Sequence, residues 1–143
     1  MRLRKNLLAA IVLAITSISV SADEQLFESV DAMNQGFAKA ILGGDINHLV
    51  GEYTVDACVI APSTPQACGK EAIRAFWTAV ISSVPLDVKI ETHAVGSSGD
   101  LAHATGTLEV TGANNVKQPS RYVLVLKKIQ GVWKLYLDTW TPA

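Results

Sequence analysis

An aspartate near the C-terminus, Asp138, is the residue whose type and position are best suited to chemistry. It lies inside a predicted strand, 132–140, among aromatic and aliphatic residues. Burying an ionised carboxylate is costly unless the group has a partner, faces a cavity or has a raised pKa. By strand alternation its side chain is predicted to share one face with Tyr136 and Trp140.

Two roles for Asp138 are open at this point. It could be a general acid or base that lines a cavity, with a pKa raised by burial. It could instead be a structural carboxylate that accepts a hydrogen bond from Tyr53, from Arg121 or from a backbone amide. We expect the cavity-lining role, and the two roles predict opposite effects of pH on stability.

The other candidates for chemistry are weaker. His93 and His103 are equidistant from Ser98 in a predicted hairpin, so they are expected to face each other across two strands. Such a pair could shuttle a proton, supply half a metal site or simply be exposed. Because there is no third ligand nearby, we predict no metal site, and no glycine-rich phosphate loop or dinucleotide motif indicates a cofactor.

Two cysteines, Cys58 and Cys68, lie on the arms of a predicted hairpin and are equidistant from Ser63 at its turn. Residues opposite each other on paired strands are close enough for a disulfide. Two small buried thiols are the alternative. We predict the disulfide, which an oxidising compartment would favour.

The hydrophobic pattern shows how these residues are positioned. Apolar residues at helical spacing predict helices over 24–42, 46–53 and 70–82, with Gly43 and Gly44 ending the first. Short strands are expected at 58–61 and 66–68. After Pro85 the period changes, and four longer strands are predicted, beginning at 86, 101, 120 and 132. This order indicates an α+β fold in which helices cover one face of a mainly antiparallel sheet.

The first 22 residues are typical of a secretory signal peptide. Three basic residues precede an apolar run, 7–15, and Val20-Ser21-Ala22 suits cleavage after Ala22. The apolar run is too short to span a membrane comfortably. We therefore predict an exported protein, periplasmic or secreted, with no membrane anchor after cleavage.

The remaining residues, 23–143, form one predicted domain. All 13 acidic residues lie in it, against nine of the 12 basic ones, so its formal charge is −4. No basic cluster indicates binding to nucleic acid.

The order of elements, together with several local motifs, resembles the nuclear-transport-factor-2-like superfamily, and within it the SnoaL-like and ketosteroid-isomerase-like proteins. The residues that carry this resemblance are Gly44-Asp45, Tyr53-Thr54, Pro62, Gly69, Trp133-Lys134 and Asp138. The resemblance implies a cone: three helices packed on a strongly bent sheet around an apolar cavity. It implies no single activity, since this fold has both catalytic and non-catalytic members.

The catalytic positions of ketosteroid isomerases are apolar in this chain. The position of their general base corresponds to Ala61, that of their helix-one tyrosine to Phe37, and that of their protonated aspartic acid to about Val123. Tyr122 is the only nearby polar substitute. Proton transfer beside a carbonyl needs a placed base and an oxyanion donor, so the ketosteroid isomerase mechanism is not expected.

Two functions are therefore predicted as alternatives. The first is an exported protein that binds a small, mostly apolar molecule in the cone. The second is an isomerase, cyclase or dehydratase that uses Asp138 as general acid or base. The expected ligand-binding residues are Tyr53, Trp77, Tyr122, Tyr136 and Trp140. The resemblance also implies a homodimer, with the strand Ser120–Lys128 in or near the interface.

Overall fold

The computed structural model describes residues 21–143, which contain three helices. Helix α1 spans Ala22–Gly43, α2 spans Ile46–Gly51 and α3 spans Lys70–Ser82. The hydroxyl of Ser21 accepts a hydrogen bond from the Glu24 amide and caps α1, which ends at Gly44 in the left-handed region, with φ 71°. Residues 1–20 of the predicted signal peptide lie outside the described part of the chain.

Six strands form one curled sheet in the order β2-β1-β6-β5-β4-β3. The strands are β1 (Tyr53–Ile60), β2 (Ala67–Cys68), β3 (Asp87–Ser98), β4 (Leu101–Thr111), β5 (Lys117–Ile129) and β6 (Val132–Pro142). Strands β3 to β6 form an antiparallel meander, whereas β1 runs parallel to β6. The predicted α+β class, with three helices on a bent, mainly antiparallel sheet, is confirmed.

The core lies between the helices and the inner face of the sheet. Apolar residues at helical spacing on α1 and α3 meet every second residue of the strands. The buried side chains include Val30, Phe37, Ile41, Ile73, Trp77, Val59, Leu124, Leu126 and Leu135. Each such side chain contributes about 1.5–3 kcal/mol when it leaves water, so this layer holds the helices on the sheet.

The boundary between α2 and β1 differs from the prediction. The sequence predicts a helix up to Tyr53-Thr54 and a strand from Cys58, but α2 ends at Gly51 and β1 begins at Tyr53. The amide of Leu135 in β6 donates to the carbonyl of Glu52 at 2.8 Å. Pairing with a distant strand therefore overrides the local helical spacing, and Tyr53 becomes a strand residue.

The predicted hairpin pairing of the cysteines is confirmed. Cys58 lies directly opposite Cys68 in the β1–β2 register, and the two form a disulfide with their Cα atoms 4.1 Å apart. Strand β2 has only two residues, so the disulfide adds a covalent link where the hydrogen-bonded pairing is short.

The predicted pairing of the two histidines is wrong. The β3–β4 register shifts between Thr92 and Ala94, so that His103 lies opposite Gly96 and His93 falls at the irregularity. The Nε2 atom of His93 lies 3.5 Å from the Thr107 hydroxyl instead. Within residues 21–143, no group of three potential ligands is arranged to hold a metal ion.

Candidate functional site

A small cavity lies between α1, α3 and the inner face of the sheet. Its volume is about 40 Å³. Three polar residues, Asn34, Tyr122 and Asp138, line it in otherwise apolar surroundings. The apolar walls include Phe37, Trp77, Leu124, Leu135 and Trp140.

Asp138 is buried in β6 and is held by a hydrogen-bond relay. Its Oδ2 atom accepts a hydrogen bond of 2.5 Å from the Tyr53 hydroxyl. That hydroxyl in turn accepts a hydrogen bond of 3.1 Å from Nε1 of Trp77. The Tyr53 hydroxyl has a single proton, and its oxygen is already the acceptor for the indole N–H. The hydroxyl proton therefore points to the Asp138 carboxylate. Among the predicted partners, Tyr53 is therefore the one that contacts Asp138.

The second carboxylate oxygen of Asp138 is available to a ligand. Among the hydrogen bonds of residues 21–143, none ends on Oδ1, and no ion pair in this part of the chain includes Asp138. Arg121, the other predicted partner, is exposed. Asp138 lines the cavity, whereas Tyr53 does not.

Burial gives this carboxyl unusual acid–base behaviour. Desolvation raises the pKa of Asp138 from 3.8 to about 6, although the hydrogen bond from Tyr53 opposes the shift. Desolvation, followed by the charge of Asp138, raises the pKa of Tyr53 well above its ordinary value. Tyr53 is thus a hydrogen-bond donor at all ordinary pH values, whereas Asp138 changes protonation near neutrality.

The second polar part of the cavity is centred on Asn34 of α1. Its Nδ2 atom donates to the Tyr122 hydroxyl and to the Thr92 hydroxyl, both at 3.0 Å. Burial raises the pKa of Tyr122, and its hydrogen bonds with Thr92 and Asn34 oppose this shift. Asn34 was not predicted as a site residue. The available signal was a polar side chain on the apolar stripe of α1, between Val30 and Phe37.

A glycine on β4 makes room for Tyr122. A Cβ atom at Gly106 would lie 2.6 Å from the Tyr122 hydroxyl and 1.9 Å from the carbonyl of Glu91. Gly106 is paired directly with Tyr122 across the β4–β5 ladder. The tyrosine ring can therefore lie across its neighbouring strand only because that position has no side chain.

Tyr136 does not share the cavity face with Asp138, so that prediction is wrong. The β5–β6 register shifts between Val125 and Leu126, which leaves Tyr136 as the extra residue of a bulge. Leu135 and Asp138 both line the cavity as a result, and Tyr136 does not. Its ring lies beneath the Lys127 ammonium, 3.4 Å from ring centroid to Nζ.

The remaining predicted site residues come together. The cavity is lined by Trp77, Tyr122, Asp138 and Trp140. Tyr53 donates a hydrogen bond to the Asp138 carboxyl. Where ketosteroid isomerases have catalytic groups, this chain has an apolar cavity wall at Phe37, a buried residue at Ala61 and an exposed one at Val123. The polar groups of this cavity are thus supplied from other positions.

The indole of Trp140 lines two neighbouring voids. One is the inner cavity, and the other is an outer pocket of about 500 Å³, which Pro62, Phe76 and Val80 also line. The ring stacks on Trp77, with centroids 6.2 Å apart, and meets the edge of Phe76 at 6.0 Å. Movement of this single side chain is therefore a direct way to enlarge the inner cavity toward the outer pocket.

Comparison with solved structures shows which proteins share this fold. An NTF2-like (nuclear-transport-factor-2-like) protein of unknown function from Pseudomonas putida KT2440 superimposes with a TM-score of 0.71 at 18% identity, over 82% of this chain and 86% of that one. A ketosteroid isomerase-like protein from Erwinia carotovora atroseptica gives a TM-score of 0.68 at 24% identity, over 81% and 95%.

A proposed dehydratase of the NTF2-like family from Streptomyces avermitilis gives a TM-score of 0.71 at 20% identity, over 84% of this chain and 97% of that one. At these identities the likeness concerns the fold alone. No curated protein sequence matches the chain at a significant level.

The profile of the SnoaL-like domain family matches residues 30–137, about three quarters of the chain. The match begins within α1, includes all of α3 and ends one residue before Asp138. The resemblance predicted from the sequence is thereby confirmed. The chain belongs to the SnoaL-like domain family and has the NTF2-like fold.

Proposed function

We propose that this protein binds a small, mostly apolar molecule in the cone cavity, and that the molecule donates one hydrogen bond to Asp138. The observation that carries this proposal is the state of the Asp138 carboxyl. It is buried and has no cationic partner within residues 21–143, and one of its oxygens accepts no hydrogen bond from them. Burying such a group is unfavourable for folding alone, so it indicates a functional role.

The dimensions of the cavity limit the ligand. Pockets that hold drug-sized molecules measure about 300–1,000 Å³, far more than the inner cavity. We infer that a ligand larger than a few atoms displaces the Trp140 side chain toward the outer pocket, since this residue lines both voids. An apolar, aromatic wall with one buried carboxyl group favours a flat ring that carries one hydroxyl group.

Phenol and toluene test this proposal, because they have similar shapes but only phenol can donate a hydrogen bond. Quenching of the fluorescence of Trp77 and Trp140 measures their binding. We expect phenol to bind at least about tenfold more tightly than toluene at pH 8, since a hydrogen bond to a charged group contributes about 1.5–3 kcal/mol. The preference should shrink as the pH falls through 6, where Asp138 takes up a proton.

Two variants localise the effect. Asp138→Asn should reduce the preference for phenol, because its amide replaces a charged acceptor. Asp100→Asn is the matched control, since this aspartate is exposed in the β3–β4 turn. Equal affinities for phenol and toluene, or an unchanged preference in Asp138→Asn, would contradict the proposal.

A second function is favoured by the pKa of Asp138. A general acid or base works best when its pKa lies near the operating pH, and that of Asp138 is about 6. The second candidate is thus an isomerase, cyclase or dehydratase in which Asp138 transfers a proton. A proposed dehydratase among the structural relatives is consistent with this class, through the fold only.

Exchange of α-protons separates the two functions. Cyclohexanone is incubated with the protein in D₂O, and loss of its α-proton NMR signal is followed. If Asp138 is a general base, exchange should be faster above pH 6, and Asp138→Asn should lower the rate about 10²–10⁴-fold. Binding of phenol without any exchange supports the first function alone.

A further inference from the structure

A second, larger concavity lies outside the cone cavity. Its volume is about 620 Å³, and it forms where the end of α2, the start of β1 and the β5–β6 turn meet. We call it the lysine groove, defined by Val55, Lys70, Lys127, Val132 and Lys134. None of the residues that line this groove also lines the cone cavity.

Two ammonium groups are held in place here by backbone carbonyls. Nζ of Lys70 donates to the carbonyls of Val50, at 2.7 Å, and Tyr53, at 2.5 Å. Nζ of Lys134 donates to the carbonyl of Gly51 at 2.9 Å. Each ammonium has three N–H donors, of which Lys70 uses two and Lys134 uses one in these bonds. Three donors of the pair therefore remain unused.

The charges of the groove are not balanced by its own acidic residues. Lys127 is paired with Asp56 at 3.0 Å, but neither Lys70 nor Lys134 takes part in an ion pair within residues 21–143. With three lysines and one aspartate, the lining has a formal charge of +2. The whole chain, in contrast, has a formal charge of −1, so the groove is a local positive site on an acidic protein.

Other charges act on Lys70 from nearby elements. Burial, and then the charge of Lys134, lower the pKa of Lys70, while Glu52 raises it. The Glu52 carboxylate lies 3.8 Å from Nε2 of His48 in α2. An anion placed between the two ammonium groups would thus reduce the electrostatic repulsion between Lys70 and Lys134.

Three apolar side chains of the groove are open to water. Val55 is 80% exposed, Val132 54% and Ile129 47%. Apolar side chains grouped beside fixed cations suit a molecule with an anionic end and a hydrocarbon tail. The volume also falls within the range of about 300–1,000 Å³ typical of small-molecule sites.

We propose that the lysine groove binds an unbranched alkyl carboxylate of medium length. The carboxylate lies between Lys70 and Lys134 and accepts their remaining N–H donors. The alkyl chain lies along Val55, Ile129 and Val132. This site is independent of Asp138 and of the function proposed for the cone cavity.

Titration calorimetry at low salt with octanoate, octan-1-ol and acetate tests the site. Octanoate should bind at least about tenfold more tightly than either of the others, because only octanoate has both the charge and the tail. Lys134→Gln should weaken octanoate binding about tenfold or more. Val55→Asp, at an exposed position, should also weaken it, since it removes apolar surface and adds a negative charge.

Controls make the outcome decisive. Lys39→Gln, which changes an exposed lysine of α1, should leave octanoate binding unchanged, and so should Asp138→Asn. Equal binding of octanol, or undiminished octanoate binding in Lys134→Gln, would overturn the proposal. Loss of octanoate binding in Asp138→Asn would place the ligand in the cone cavity instead. Conversion of a dimer into monomers by Val55→Asp in sedimentation would assign the groove to a second copy of the chain.

Discussion

The acid–base behaviour of Asp138 leads to a prediction about stability. In the folded protein its pKa is about 6, and without burial it is 3.8. Above pH 6 the buried charge therefore costs about 3 kcal/mol, and this cost disappears as the pH falls toward 4. We expect Asp138→Asn to unfold at the same denaturant concentration as the wild type at pH 4, and to be equally or more stable at pH 8.

Denaturant unfolding at both pH values measures this difference. In the variant, Tyr53 still has an oxygen to donate to, so the relay with Trp77 remains. Asp100→Asn serves as the control, since its side chain is exposed. A loss of more than about 1 kcal/mol in Asp138→Asn, confined to pH 8, would mean that the carboxylate contributes stability instead.

The close approach at Gly106 leads to a second prediction. A methyl group there would collide with the Tyr122 hydroxyl and with the Glu91 carbonyl. We expect Gly106→Ala to lower the free energy of unfolding by about 2–3 kcal/mol, as overpacking typically does. Gly112→Ala is the matched control, because its Cβ would meet only one atom, at 3.9 Å. Similar melting temperatures for the two variants would show that Tyr122 is not confined by β4.

Only part of the site could be predicted from the sequence, and three individual residues show why. Asp138 was found because a carboxylate in an apolar strand violates the usual pattern. Asn34 was missed because one polar residue on an apolar stripe is also common at the edge of a helix. Tyr136 was misplaced because strand alternation assumes a regular ladder, and the bulge at this residue shifts every later side chain.

At the level of elements, periodicity predicted the helices and the meander well. The hydrophobic pattern is a local property, and α1, α3 and β3 to β6 each follow one period through most of their length. The errors fall where an element pairs with a distant strand and where the ladder between neighbouring strands is irregular. Tyr53 belongs to a strand because of β6, and the histidines are offset by an irregularity in β3.

The link between β1 and β2 can be tested chemically. We expect no free thiols in the exported protein after denaturation without reductant, because Cys58 and Cys68 are bonded. Replacing both cysteines by serine should lower the free energy of unfolding by about 2–3 kcal/mol, as expected for a short closed loop. Two thiols per chain in the titration would contradict the pairing.

The start of α1 bears on the predicted processing. We expect the exported protein to begin at Asp23, so that Ser21, the N-cap of α1, is removed. Asp23 and Glu24 then remain in the first turn and interact favourably with the helix dipole. The intact mass of protein recovered from the periplasm or medium measures the cleavage site. A mass that includes residues 1–20 would contradict export with cleavage.

In residues 21–143, no helix has the length and apolarity needed to cross a membrane.

At the scale of the whole molecule, we propose a homodimer that uses the outer face of the sheet near β5. Val123 in this strand is 45% exposed although it lies in the middle of the sheet. Light scattering at micromolar concentration should give the mass of two chains. Val123→Glu should shift the mass toward one chain, whereas Val116→Glu, in the turn before β5, should not. A single-chain mass for the wild type would exclude this assembly.

The parallel pairing of β1 with β6 also determines when the cavity can form. The hydroxyl of Tyr53 and the carboxyl of Asp138 are separated by 85 positions along the chain, and β6 is the last strand to be synthesised. Closing so long a loop is slow compared with forming local hairpins. We expect β3 to β5 to pair early, whereas β1 must wait for its distant partner. We therefore expect the cavity to be completed late in folding, when β6, which carries Asp138 and Trp140, pairs with β1.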